Sequence, residues 1–93
     1  MIIGAAEITL YAPWVHSLKE KRMVVKSILD KVRNRFQVSA AETGLQDVHQ
    51  TAVIGVACVA GTVSQADSII DHVIGFIEEN TDAQITNIAR EIR

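Results

Sequence analysis

Residue periodicity, element order and size together predict an α+β fold. Two short segments alternate apolar and polar residues with period two, a third is a continuous apolar run, and two longer ones repeat at the helical period behind capping residues, with a last short segment that admits either spacing. They follow one another as strand, helix, strand, strand, helix, strand. The chain has 93 residues, 48% of them hydrophobic, which suits a single packed domain, residues 1–93, and argues against disorder. Two right-handed crossovers around a hairpin give a βαββαβ sandwich: a four-stranded antiparallel sheet with both helices on one face. The other sheet face is left open. In so small a domain that face meets water, a ligand or a second copy.

The elements are justified in order. Over residues 2–12, Ile2, Ala6, Ile8 and Leu10 fall on one side and Ile3, Ala5, Glu7, Thr9 and Tyr11 on the other, as in a strand buried on one face. Pro13 ends it. Ser17-Leu18-Lys19-Glu20 has the form of a capping box, so a helix opens at Ser17. At 100° per residue, Leu18, Val25, Ile28, Leu29, Val32 and Phe36 share an arc of about 100° that faces the core. Residues 36–42 alternate again and read as a strand beginning at Phe36. Residues 43–49, with Gly44 and Asp47, read as a hairpin loop. Residues 50–61 form a long apolar run suited to a central strand. Ser64 with Asp67 marks a second helix start, and Ile69, Ile70, Val73, Ile74 and Ile77 supply its apolar face. Residues 83–93 admit helical or strand spacing; the element order favours a strand that places Ile88 and Ile92 on one side with Arg90 between them.

Charge is the sharpest functional hint. Seven of the nine Lys and Arg residues lie in the 17 residues from Lys19 to Arg35, opposed only by Glu20 and Asp30, which gives 7 − 2 = +5. The remainder carries two bases and nine acids, 2 − 9 = −7. Such segregation bears on partners rather than on fold. On the helical projection Lys19, Arg22, Lys26 and Arg33 form a stripe about 60° wide beside the apolar arc. Lys21 falls inside that arc and must snorkel or find a partner. The stripe, with Lys21 and Trp14 next to it, is the candidate nucleic-acid-binding surface, since each neutralised phosphate adds salt-dependent affinity. A pI near 5.8 argues against a dedicated high-affinity nucleic-acid binder.

Other chemistry is thinly supported. The single cysteine, Cys58, sits in an apolar run and excludes an internal disulfide or a cysteine metal cluster. His16, Glu42, Asp47 and His49 match no short metal motif and read as loop polar residues. No phosphate-binding glycine loop or nucleophile–base pair is present, so neither a cofactor nor a metal nor an enzymatic activity is expected. The open face carries Tyr11 but lacks the several aromatics with which RNA-recognition domains of this topology stack bases. The alternative reading is a homodimer through that face or an edge strand, a regulatory module binding an acidic partner or a small anion. With no signal sequence or membrane-length apolar run, a cytoplasmic location is expected.

Three strings, Ser17-Leu18-Lys19-Glu20-Lys21-Arg22, Arg33-Asn34-Arg35-Phe36 and Val38-Ser39-Ala40-Ala41-Glu42, with Asp47, resemble the YlxP-like family of small bacterial proteins along essentially the whole chain. The resemblance implies a ferredoxin-like sandwich and a strand at residues 83–93. The family is uncharacterised. Its genes often lie among those for translation and ribosome maturation, which implies an RNA- or ribosome-associated task.

Overall fold

The computed structural model describes residues 1–93 and contains β1 (Ile2–Tyr11), α1 (Leu18–Arg35), β2 (Ser39–Gly44), β3 (Thr51–Ala60), α2 (Val63–Asn80) and β4 (Gln84–Ile92). The sheet order is β2-β3-β1-β4 and every neighbouring pair is antiparallel. This is the βαββαβ sandwich expected from the sequence, with residues 84–92 as its fourth strand.

Strand alternation decides which side is buried. Ala6, Ile8 and Leu10 of β1 and Ala52, Ile54, Val56, Cys58 and Ala60 of β3 point toward the helices. Ile8 faces Ile54 across one ladder and Ile88 across the other. Val25, Ile28, Leu29 and Val32 of α1 and Ala66, Ile70, Val73 and Ile77 of α2 close the core. Each fully buried aliphatic side chain contributes roughly 1.5–3 kcal/mol relative to exposure. Gly4 lets α2 lie close to β1: a Cβ there would stand 3.1 Å from Cys58 Sγ and 3.2 Å from Ala66 Cβ. Neither helix is long and apolar enough to cross a membrane.

Three local details differ from expectation. Only half of the capping box at α1 forms: Ser17 Oγ accepts from the Glu20 N–H at 3.1 Å, but the Glu20 carboxylate does not reach back. The second strand starts at Ser39 instead of Phe36. Helix α1 runs through Arg35, and the Phe36 N–H still donates to the Val32 carbonyl. The Phe36 ring then meets Phe76 of α2 edge-on at 5.5 Å, a better use of an aromatic than a short edge strand offers. Finally, α2 is capped by Thr62, two residues before the expected Ser64. Its hydroxyl accepts from the Gln65 N–H, and Gln65 Oε1 accepts from the Gly61 N–H.

Strand β4 is the most exposed element. A bulge at Thr86 shifts its register between Thr9↔Asn87 and Leu10↔Ile85. Arg90, on the helix side, ties it down by donating to Asp71 Oδ1 at 2.5 Å and Asp67 Oδ1 at 3.3 Å. Those bonds, Asp71's foremost, raise the Arg90 pKa against the opposing effect of burial.

Candidate nucleic-acid interface

The basic residues of α1 divide by what lies beside them. The α1 flank carrying Arg22, Lys26, Arg33 and Lys19 runs along β2 and the loop after it. Arg33 donates to the Ala40 carbonyl of β2. Lys26 Nζ lies 2.5 Å from Asp30 Oδ2, and Arg33 lies 3.9 Å from Asp30 Oδ1. One carboxylate is therefore shared between two cations of the stripe. Lys19 and Arg22 are exposed and have no carboxylate within 4.0 Å, and the same holds for Lys31 and Arg35 elsewhere on the helix. The stripe is thus partly answered by the chain's own acids, with the unanswered charge at its N-terminal end.

Lys21 is not part of the exposed stripe. It is only 3% exposed, because its place in the apolar arc turns it toward the sheet. Its Nζ donates to the Leu45 carbonyl at 2.5 Å and lies 3.1 Å from Glu42 Oε2. That second contact is an ion pair off the line of a hydrogen bond, so Glu42 Oε2 accepts none. Leu45 is the one non-glycine residue with positive φ, +53°. The conformation is unfavourable for a leucine and persists where neighbours impose it; the Lys21 ammonium on its carbonyl is such a neighbour. Two of the strings singled out in the sequence therefore meet as a clamp between α1 and the β2 end, with Arg33 and Ala40 making a second tie.

Trp14 stands apart from the stripe. It lines a groove of about 310 Å³ with Met23, Val24, Ser27 and Ile28 of α1 and with residues 80–82 after α2. These α1 positions occupy the arc toward α2, opposite the β2 flank, so Trp14 and the bases share no lining. At 42% exposure it is a half-open cover on the helix layer.

The four loop polar residues do not converge. Glu42 is engaged by Lys21, and no group of three metal-ligating side chains exists. His16 and His49 do come together: with Tyr11, Gln50 and Thr51 they line a hollow of about 360 Å³ at the end of the sheet where α1 begins. Gln50 Nε2 donates to the Pro13 carbonyl at 3.0 Å and the Val15 carbonyl at 3.3 Å, which fixes this corner. Nothing in the sequence signalled the meeting, because 33 residues separate the two histidines and only the β1–β3 register joins them.

The open sheet face is a shallow trough of about 420 Å³ floored by Ala5, Ala41, Gly55, Ala57 and Ala89. Thr43 lies over Gly55, where a Cβ would come within 2.5 Å of its Cγ2, and donates to Glu7 Oε2 at 2.9 Å. A carboxylate therefore stands in the middle of an otherwise small and apolar floor.

Comparison with known proteins agrees with the resemblance read from the three strings. Over 85 residues the chain is 38% identical to the "Uncharacterized protein YlxP" of Bacillus subtilis (strain 168), covering 91% of this chain and 92% of that one. The fold is similar to that of a de novo designed protein with ferredoxin fold solved by solution NMR: TM-score 0.66, 23% identity, 100% of this chain and 86% of that chain. It is also similar to the designed protein Foldit4, with TM-score 0.50, 8% identity, and 99% and 94% coverage. Residues 3–90 match the family model described as protein of unknown function DUF503, and the chain belongs to that family.

Proposed function

We propose that this protein is a non-enzymatic module that docks structured RNA, such as a ribosomal surface, through the β2-side flank of α1. The observation that carries the reading is the pair Lys19 and Arg22, exposed and free of any carboxylate partner in a chain whose net charge is −2. Lys26, 77% exposed at its side chain, adds charge that Asp30 only partly offsets. Arginine suits bidentate contact with a phosphate, and lysine supplies point charge. Two to four phosphate contacts give a log–log salt slope of about −1.4 to −3.6, from unpaired to duplex segments of a structured RNA, which marks a modest, electrostatically steered binder. The test is fluorescence anisotropy with labelled ribosomal RNA fragments across a salt series. Lys19→Glu with Arg22→Glu abolishes binding, while Lys21→Met leaves it intact. Affinity unchanged by the double reversal removes the proposal.

The second reading, a homodimer through the open sheet face, draws on the alanine-floored trough. Its physical difficulty is Glu7. A two-fold pairing of these faces would take two like carboxylates out of water near one axis, at a cost of several kcal/mol per ion. Sedimentation at high concentration tests it, with Glu7→Gln strengthening any such dimer.

A further inference from the structure

We infer that the Tyr11–His16–His49 hollow holds an unpaired RNA base whose phosphates continue onto the stripe; this rests on the RNA reading above and names the class of RNA bound. Three ring side chains line one small concavity in a protein otherwise poor in aromatics. Its volume, about 360 Å³, lies in the lower part of the range for small-molecule sites. Both histidines and Tyr11 are exposed, so their ring faces are not spent on the core. The rings are accompanied by groups that can read a base edge. Gln50 must present its amide N–H₂ to two carbonyls, which leaves Oε1 without a protein partner, and Thr51 contributes a hydroxyl. Position links the hollow to the charge: His16 directly precedes the Ser17 cap, and Lys19 stands on the first turn that follows.

The chemistry selects single-stranded over paired RNA. Stacking on phenol and imidazole needs a base free of its neighbours, and a duplex conceals those faces. The middle of the sheet, with its alanine floor, offers no stacking platform. Trp14, also exposed, lies in the groove toward α2 and shares no lining with the basic residues, so ring recognition at this end of the sheet falls to the hollow, with one base read and the flanking phosphates held by Lys19 and Arg22.

The chain supplies its own reporters. Tyr11 is the only tyrosine, and there are three histidines. His72 lies on α2, its Nδ1 2.6 Å from the Ser68 carbonyl, and serves as an internal control. Proton NMR of the intact protein is recorded with a single-stranded RNA oligomer, with a fully paired stem of equal charge, and with a nucleoside monophosphate. The single strand shifts the ring signals of Tyr11, His16 and His49 and leaves His72 in place; the stem does not. The same shifts with millimolar nucleotide support the hollow as a base site filled from a free source. Tyr11→Ser and His49→Ala each weaken single-strand binding roughly 5- to 150-fold. Salt-dependent RNA binding with unmoved Tyr11 and His49 signals overturns this inference and leaves the stripe standing. No binding of either RNA overturns both.

Discussion

Replacing Glu42 by Gln tests the clamp between α1 and β2. The substitution keeps the side-chain shape and removes one charge. Lys21 is then an ammonium 3% exposed with only uncharged acceptors, the Leu45 carbonyl at 2.5 Å and the amide oxygen of the new side chain. Breaking a fully buried ion pair by removing one member costs about 3–5 kcal/mol. The Glu42 side chain is 19% exposed and already partly solvated, which places the expected loss near the lower end, about 3 kcal/mol. In a domain of this size 1 kcal/mol shifts Tm by roughly 4–8 °C, so the variant melts about 12–24 °C below the parent. Lys21→Met costs less than Glu42→Gln, because the stranded carboxylate, 19% exposed, can turn toward water. The double replacement Lys21→Met, Glu42→Leu recovers most of the loss, since an apolar pair needs no counter-charge. Thermal melts and urea titrations by circular dichroism read all three. A Glu42→Gln melt within about 2 °C of the parent would refute the reasoning and leave the strings that meet there without a structural explanation.

Further outcomes are expected. Ser17→Ala loses the cap on the Glu20 N–H and about 1 kcal/mol in a urea titration. Leu45→Gly relieves the left-handed backbone and gains about 1 kcal/mol, seen as a higher Tm. Arg90→Ala leaves Asp67 and Asp71, like charges one turn apart on α2, without their common partner; it costs about 1 kcal/mol and speeds amide exchange along β4. The Glu91 carboxyl is held below the ordinary carboxylate range by its hydrogen bond to Arg93 and by that residue's charge. Its small contribution is present above the ordinary range and lost as pH falls through the lowered value, so Arg93→Ala moves the Glu91 titration midpoint upward by NMR.

Much of the architecture was legible in the sequence because burial in the two central strands, β1 and β3, follows period two. Ile8, Ile54 and Val56 declare one face, and the only ambiguous segment, residues 83–93, was settled by element order. The boundary near Phe36 was not legible, because its ring is attracted by Phe76, forty residues away. The site was legible in outline only. The helical projection correctly set Lys21 apart from the other bases but could not supply Glu42 or the Leu45 carbonyl, which reach it through β2 and its loop. The sharing of Asp30 between Lys26 and Arg33, by contrast, follows spacings of four and three that the projection already sets side by side. His16 and His49 share a hollow because strand register and the Gln50 amide bring two loops together, and no local pattern encodes that.

Cys58 adds an experimental handle. It is the sole thiol, it is buried, and it lies beneath Ala66 where Gly4 admits α2 to the sheet. An alkylating reagent can reach it only when that helix lifts away. Its labelling rate is consequently a clock for local opening, and the same rate taken with RNA present reports whether a ligand on the opposite helix steadies the whole layer.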